Sequence, residues 1–209
     1  MRRLHFALTV ALATIFFISV ANAQVGYSQQ ELQAKLAYCK TCHGLSGQGY
    51  RGANPMPRLA GQQPEYLENQ LHAFIERRRT NPIMNNVAHV LSPNMITALA
   101  AHFKDLNPKP LGGAPQELVA AGQKIYQEGV PGTDIPACAS CHGPEAKGDG
   151  AFPRLAGQLH DYILRKLVNW SKERGQVAAN PDTSAIVEPI VHGLTPPQIK
   201  AVAAYLSYL

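Results

Sequence analysis

Apolar residues recur every three or four positions in three segments of the first half of the chain, and this spacing predicts three amphipathic helices. Ser28, followed three residues later by Glu31, predicts a capping box at the start of the first helix. Pro64 lies near the start of the second helix, and Ser92-Pro93 supplies an N-cap and a first helical residue for the third. The three apolar stripes are Leu32 and Leu36; Leu67, Leu71 and Phe74; and Ile96, Leu99 and Phe103.

The second half of the chain repeats this order of helices. Thr195-Pro196 is the counterpart of Ser92-Pro93 at the start of the last helix, and Gly175 is the expected end of the middle one. Neither half contains a sustained alternation of apolar and polar residues, so we expect no real sheet and an all-α fold. The second set of stripes is Leu118, Gly122 and Ile125; Ile163, Leu167 and Trp170; and Ile199, Val202 and Leu206.

Two short segments recur almost letter for letter, which indicates a duplicated domain. Cys-Lys-Thr-Cys-His-Gly at 39–44 returns as Cys-Ala-Ser-Cys-His-Gly at 138–143. Pro-Arg-Leu-Ala-Gly-Gln at 57–62 returns unchanged at 153–158. Together with the repeated helix order, these matches predict two tandem units of similar structure.

The chain divides into a leader, two domains and a linker. Residues 1–23 have a basic start, an apolar run and a small-residue cleavage site at Ala21-Asn22-Ala23, which predicts a secretory signal peptide. An uncleaved membrane anchor is the alternative, because the run approaches spanning length. We predict a first domain at 24–106, a Pro- and Gly-rich linker at 107–115 and a second domain at 116–209. Export would place the protein in the periplasm.

The composition is that of a globular protein with a weak positive charge. Hydrophobic residues make up 45% of the 209 residues and charged residues 16%, which argues against disorder. Lys and Arg number 19 against 14 Asp and Glu, and loss of Arg2 and Arg3 with the leader would reduce the cations to 17. This excess is too small to indicate a nucleic-acid partner.

The repeated Cys-x-x-Cys-His sequence is the attachment motif of c-type haem. Two thiols one helical turn apart can reach the two vinyl groups on one edge of the porphyrin, and the adjacent histidine becomes an axial ligand of the iron. Each unit is also small, and a small helical domain commonly needs a cofactor or metal to stabilise it. Cys39, Cys42 and His43 are therefore assigned to one haem, and Cys138, Cys141 and His142 to another.

Three other uses of the four cysteines are less consistent with the sequence. A shared zinc site would need the two pairs much closer together, whereas a whole predicted domain separates them. A thioredoxin-like redox pair belongs in a βαβ context, which is absent. Two disulfides would suit an exported protein but would leave His43 and His142 unexplained.

With these motifs, the sequence resembles the cytochrome c4 family, the periplasmic dihaem cytochromes built from two class I cytochrome c domains. The resemblance lies in the two Cys-x-x-Cys-His-Gly motifs, the two Pro-Arg-Leu-Ala-Gly-Gln segments and the entries to the closing helices, and it spans the expected mature chain. It implies two small helical bundles, each wrapped around one covalent haem. It also implies that the carbonyls of Pro57 and Pro153 accept a hydrogen bond from Nδ1 of the proximal histidines.

In similar cytochromes a methionine shortly before the closing helix is the sixth ligand of the iron. Met84 occupies that place in the first unit, whereas Met95 falls inside the closing helix and is assigned to packing. In the second unit the equivalent position, counted back from Leu194, is Val187. No methionine follows Met95, so the second haem must be five-coordinate, bound to water or a small ligand, or held by another side chain.

His192 is the first replacement to consider, since it lies five residues beyond Val187. His89 holds the matching place in the first unit, where Met84 already serves, so an ordinary surface or packing histidine is an equal alternative. His160, Lys166 and Lys172 rank below it.

Several repeated polar residues are candidates for contact with haem propionates. Arg58 and Arg154 carry guanidinium groups that suit paired carboxylate oxygens, and Tyr66 and Tyr162 offer hydroxyl donors. The run at 77–79, Arg-Arg-Arg, has no full counterpart and is interpreted as a solvated helix face, with a docking patch as the alternative.

The sequence leaves two functions open. The first is a periplasmic carrier that passes single electrons between a quinol-oxidising membrane complex and a terminal oxidase or reductase. His–Met ligation at the first haem, which raises its potential, suits such a role. The second is a haem enzyme or a protein that binds oxygen, nitric oxide, carbon monoxide or peroxide at an open second haem. Val187 favours this alternative, although no catalytic acid, base or nucleophile accompanies it.

Overall fold

The computed structural model describes residues 26–174 and 184–209. The predicted leader at 1–23 and the predicted helix end at Gly175 lie outside these ranges. The described chain forms two helical units, and its strand pairing is limited to isolated bridges such as Tyr50 with Met56. The first unit contains α1 (Gln29–His43), α2 (Pro64–Ile75), α3 (Pro82–His89) and α4 (Pro93–Lys104).

The second unit repeats this arrangement with more breaks in its helices. A 3₁₀ turn at Gln116–Leu118 precedes the first of them. The others are α5 (Val119–Glu128), α6 (Ala139–His142), α7 (His160–Val168), α8 (Trp170–Glu173), α9 (Ser184–Gly193) and α10 (Pro196–Leu206).

The predicted helix starts are confirmed. Ser28 Oγ accepts from the Glu31 amide and the Glu31 carboxylate accepts from the Ser28 amide, which completes the capping box. Ser92 caps α4 with Pro93 as the first residue, and Thr195 holds the same place before α10. Each cap supplies a partner to a backbone group that the helix itself leaves unpaired.

Two features of the helices differ from the prediction. The structure adds α3 and α9, short helices that precede each closing helix; their sequences give less than three turns of pattern, and Pro189 interrupts α9. The predicted middle helix of the second unit also divides at Asn169, so that Trp170 begins α8 rather than continuing α7. Asn169 adopts φ −105° and ψ 22°, outside the helical range.

Each unit has its own small apolar core beside its closing helix. In the first unit, Leu36 of α1 and Leu67 of α2 pack against Met95, Leu99 and Phe103 of α4. The packing role predicted for Met95 is confirmed, since its side chain is buried in this cluster. The second core is formed by Tyr126, Ala146, Ala156, Ile163, Val202, Ala203, Tyr205 and Leu206.

The two units are joined by a reciprocal set of hydrogen bonds. Gln62 donates from Nε2 to the Arg154 carbonyl (3.0 Å) and accepts from the Arg154 amide at Oε1 (2.6 Å). Gln158 does the same with the carbonyl (3.0 Å) and amide (2.8 Å) of Arg58. Both glutamines are buried, so the pairs are protected from water. They place the two repeated Pro-Arg-Leu-Ala-Gly-Gln segments face to face.

Helices α5 and α10 approach most closely at Gly122, and this contact gives a test of the second core. A Cβ at this position would overlap the backbone oxygen of Ala201. Helix propensity alone would make Gly122→Ala stabilising by about 1 kcal/mol, but overpacking should reverse the sign and destabilise the protein by about 1–3 kcal/mol. Thermal or denaturant unfolding of the haem-loaded protein measures the change.

The exposed neighbour Ala121 provides the matched control. Ala121→Gly carries the opposite propensity change without the contact and should cost about 1 kcal/mol. If Gly122→Ala stabilises the protein instead, the helices are not held at the distance described.

Candidate functional site

A single continuous cavity of about 690 Å³ runs between the two units and reaches both repeated motifs. His43 and Met84 line its first-unit part, and His142 and Val187 line its second-unit part. Apolar side chains make up much of the wall, as expected for a site that receives a large flat cofactor. The structure therefore brings His43, Met84 and His142 and the attachment cysteines of both units to one cavity.

The two motif histidines are oriented in the same way. Nδ1 of His43 lies 2.9 Å from the Pro57 carbonyl oxygen, and Nδ1 of His142 lies 2.9 Å from the Pro153 carbonyl oxygen. A hydrogen bond to a carbonyl requires a proton on Nδ1, which leaves the Nε2 lone pair available to a metal. Burial lowers the pKa of both imidazoles, which favours this neutral form.

The four cysteines are positioned for attachment at the cavity edge. Cys39 and Cys42 lie in the last turns of α1, and Cys138 and Cys141 lie at and within α6. All four line the cavity, and no disulfide joins them. In each pair the first cysteine is half-buried, and this desolvation raises the pKa of its thiol, whereas the second cysteine is exposed. Each pair can thus present two thiols to one edge of a porphyrin.

The two repeated arginines lie at the contact between the units. Nε of Arg58 donates to the Ala60 carbonyl and Nε of Arg154 donates to the Ala156 carbonyl, both at 3.0 Å. Arg58 is 3% exposed, yet its two terminal nitrogens have no hydrogen-bond partner. Burial, and then the nearby Arg154 guanidinium, lowers the pKa of Arg58 to about 10. A buried cation with unused donors fits an anionic group at this place, and haem propionates meet that requirement.

Arg79 occupies an environment that its sequence context did not indicate. The prediction of a solvated face is wrong for this residue, which is 6% exposed. Its Nη1 donates to Gln70 Oε1 at 2.8 Å and its Nη2 donates to the Tyr162 hydroxyl of the other unit at 2.7 Å. Tyr66 also bonds Arg79. The two tyrosines, predicted as propionate donors, line the cavity and meet at this guanidinium.

Met84 lies on α3 at the wall of the first-unit cavity. Asn81 caps the helix by accepting from the amides of Ile83 and Met84. Asn85 donates to the Phe74 carbonyl at 2.7 Å and so ties α3 to α2. The residue predicted as the sixth ligand is therefore held on a short, capped helix and lines the same cavity as the motif histidine His43.

The second unit places Val187 on the matching wall but does not bring His192 to it. Val187 of α9 lines the cavity. His192 is exposed, is not among the lining residues, and has Nε2 2.8 Å from Ser171 Oγ. His160 pairs with Asp161 through Nδ1 at 2.9 Å, also away from the lining. Of the histidines and lysines considered for the sixth position, Lys166 alone lines the cavity.

Sequence reasoning missed two groups of site residues. Gln62 and Gln158 stand out in the sequence as part of a repeated segment. The repeat does not show that each glutamine bonds the backbone of the other unit. Arg79 was missed because its partner Tyr162 is 83 positions away. The only sequence feature that set Arg79 apart is that the second unit has no counterpart for it.

Comparison with known proteins agrees with this geometry. The family model described as cytochrome c matches twice, at residues 27–107 and 119–209. The cytochrome c4 of Thiocapsa roseopersicina is 37% identical over 90% of this chain and 96% of that protein. A thiosulfate dehydrogenase electron acceptor of Thiomonas intermedia (strain K12) is 35% identical over 82% of this chain and 78% of that protein.

Solved structures agree as well. The cytochrome c4 of Acidithiobacillus ferrooxidans has a TM-score of 0.71 at 36% identity and covers 83% of this chain and 99% of its own. The structure of reduced cytochrome c4 from Pseudomonas stutzeri matches with a TM-score of 0.74 at 28% identity, and the match covers 87% of this chain and 98% of that chain.

Two helical cytochrome c domains, each with a Cys-x-x-Cys-His motif at a shared cavity, define a dihaem c-type cytochrome that carries electrons. The chain belongs to the cytochrome c4 family. No helix among the described residues is long and apolar enough to cross a bilayer.

Covalent attachment gives a direct test of the two motifs. Thioether bonds survive denaturation, so the mass of the unfolded protein should exceed that of its polypeptide by two haems, and a denaturing gel should retain haem staining. The double variant Cys138→Ala/Cys141→Ala should carry one covalent haem. A wild-type mass with one haem or none would contradict the assignment of the cysteines.

Proposed function

We propose that His43 and Met84 are the axial ligands of the first haem and that His142 is the proximal ligand of the second. Cys39 and Cys42 hold the first porphyrin, and Cys138 and Cys141 hold the second. The orientation of each histidine by a proline carbonyl supports the proximal roles. The position of Met84 on the capped helix α3 at the cavity wall supports its distal role.

The two repeated segments would also hold the propionates. Arg58 and Arg154 line the cavity between the units, where carboxylates would pair with both guanidinium groups and satisfy the unused donors of Arg58. Tyr66 and Tyr162 line the same cavity and both bond Arg79. The Pro57 and Pro153 carbonyls keep each imidazole protonated at Nδ1 and increase its basicity toward iron.

The protein acts as a periplasmic electron carrier rather than as an enzyme, with domains at 24–106 and 116–209 joined by the linker at 107–115. The observation that carries this proposal is the continuous cavity that spans both haem sites. Bound haem iron supplies a one-electron couple, and His–Met ligation raises its potential and suits rapid transfer. The polypeptide keeps the two sites adjacent through the Gln62 and Gln158 bonds, so an electron can enter at one site and leave from the other.

Two kinds of donor fit this role. A quinol-oxidising membrane complex is the donor inferred from the sequence, with a terminal oxidase or reductase as acceptor. The second candidate donor is a thiosulfate dehydrogenase, because relatives from Thiomonas intermedia and Stutzerimonas stutzeri are named as electron acceptors of that enzyme.

Reduction by each donor can be compared directly. The oxidised protein is mixed with purified thiosulfate dehydrogenase and thiosulfate, or with the quinol-oxidising complex and quinol, and haem reduction is followed by absorbance. We expect rapid, catalytic reduction by one donor and reoxidation by a terminal oxidase or reductase. Failure of every donor and acceptor would contradict the carrier role.

Met84 can be tested through its own spectroscopic signature. Met84→Ala should abolish the weak red absorption band of thioether-ligated ferric haem and lower the potential of one haem only, because a thioether favours the ferrous state. Redox titration monitored by absorbance measures both effects.

Met95→Leu is the matched control, since Met95 is buried in the core beside α4. It should leave the band and both potentials nearly unchanged, because volume is conserved. Persistence of the band in Met84→Ala would mean that another residue ligates the first haem.

A further inference from the structure

The helix that follows each histidine-orienting segment presents one face to the cavity. In the first unit this face contains Tyr66, Gln70 and Phe74, four residues apart. In the second unit Tyr162 and Lys166 of α7 and Trp170 at the start of α8 line the cavity at the same sequence spacing. Lys166 therefore takes the place that Gln70 holds in the first unit. At this wall the first unit has a side-chain amide, whereas the second unit has a primary amine. The units also differ on a second helix, where the first unit has Met84 on α3 and the second unit has Val187 on α9.

Lys166 is an unusually enclosed lysine. Its side chain is 16% exposed, its Nζ contacts the carboxylate of Glu173, and it lies 5.3 Å from the centroid of the Tyr162 ring. Most lysines keep the ammonium group in water, so burial at a cavity wall calls for a specific partner. Burial, and then the guanidinium groups of Arg79, Arg165 and Arg174, lowers the pKa of Lys166 to about 6, which makes the neutral amine accessible near neutral pH.

The other polar side chains on the described second-unit wall are poorer candidates for binding a metal, and the Trp170 indole nitrogen, although unpaired, offers only an N–H bond. Gln158 has both ends of its amide bonded to Arg58, and the Tyr162 hydroxyl accepts from Arg79. Ser184 has a partner of its own. Arginine cannot offer a lone pair to a metal, and His142 is committed as the proximal ligand. Among these side chains, the Lys166 amine is the strongest nitrogen base, and its contact with Glu173 uses an N–H bond rather than the lone pair that a neutral amine would offer.

We propose that the Lys166 amine is the sixth ligand of the second haem iron, in the role that Met84 has in the first unit. The inference rests on the proposed attachment of that haem through Cys138, Cys141 and His142. A neutral primary amine has one lone pair and two N–H bonds. It can bind iron through the lone pair and still donate one hydrogen bond to Glu173, which would orient it. Ligation of a lysine that is initially charged releases one proton to solvent.

This assignment has a functional consequence. A histidine–amine haem lacks the thioether that favours the ferrous state, so the second haem should have a lower potential than the first. Both irons would be six-coordinate, as suits electron transfer. An open second haem that binds a small molecule is the competing interpretation, and the following experiment separates the two.

The test uses the full-length dihaem protein. Wild-type protein should show two low-spin haems by electron paramagnetic resonance and should resist carbon monoxide in the reduced state. Lys166→Gln, which copies the first unit, should convert one haem to a high-spin form that binds carbon monoxide. Lys166→Arg should do the same, because arginine keeps the positive charge beside Glu173 but cannot ligate iron. If Lys166→Arg keeps both haems low-spin and resistant to carbon monoxide, the positive charge beside Glu173 is sufficient. Lys166 would then have only a structural role, which would overturn the proposal.

Two further variants complete the experiment. Lys172→Gln and His192→Ala, at exposed positions, should behave as wild type. If the wild-type protein already binds carbon monoxide at the second haem, the sixth position is open and the proposal is wrong. If His192→Ala makes the second haem bind carbon monoxide, the sixth ligand is His192 and the proposal is also wrong. The red band of the first haem reports folding of each variant. A mass with fewer than two haems would instead show that the proposed attachment is wrong.

Discussion

The reciprocal hydrogen bonds of Gln62 and Gln158 are the contact on which the arrangement of the molecule depends. Each glutamine bonds the amide and carbonyl of the arginine that follows a histidine-orienting proline in the other unit. The same short segment therefore positions an imidazole, directs a guanidinium and forms the contact between the units. A shift of one unit against the other would disturb all three, so the geometry of each haem site is coupled to the docking of its neighbour.

The buried cations make this coupling energetically important. Arg58 has two terminal nitrogens without partners, and Arg79 uses Tyr162 of the other unit as the acceptor for its Nη2 while its Nε has no partner. Desolvating a guanidinium costs several kcal/mol unless anions or acceptors compensate. Propionates between the units would supply that compensation for Arg58 and Arg154. Cofactor attachment should consequently stabilise the docked arrangement as well as each small core, which is what a domain with a limited apolar interior requires.

Local features of the sequence were sufficient for much of this structure. The capping box of Ser28 and the helix entry at Ser92 depend on residues close in sequence, and both are present. The histidine–proline contacts, which the resemblance to the cytochrome c4 family implied, are present as well. Burial of long charged side chains was not predictable in the same way. Arg79 is buried against Tyr162, which is 83 positions away in the sequence. Lys166 lines the cavity because of the way α7 packs in the folded protein. Neither contact follows from the spacing of residues within one helix.

The duplication is symmetric where the units meet and asymmetric where they would hold the sixth ligand. The two glutamines match because each pairs with the backbone of the arginine in the other unit, and loss of either glutamine would leave a buried amide and carbonyl unpaired. The walls that would hold the sixth ligands are not paired in this way: Met84 and Gln70 line the first-unit part of the cavity, and Val187 and Lys166 line its second-unit part. A ligand exchange there changes the potential of one iron without disturbing the contact between units. Two units that are bound by the same interface can thus acquire different potentials, and a difference in potential is what gives an electron a preferred direction between them.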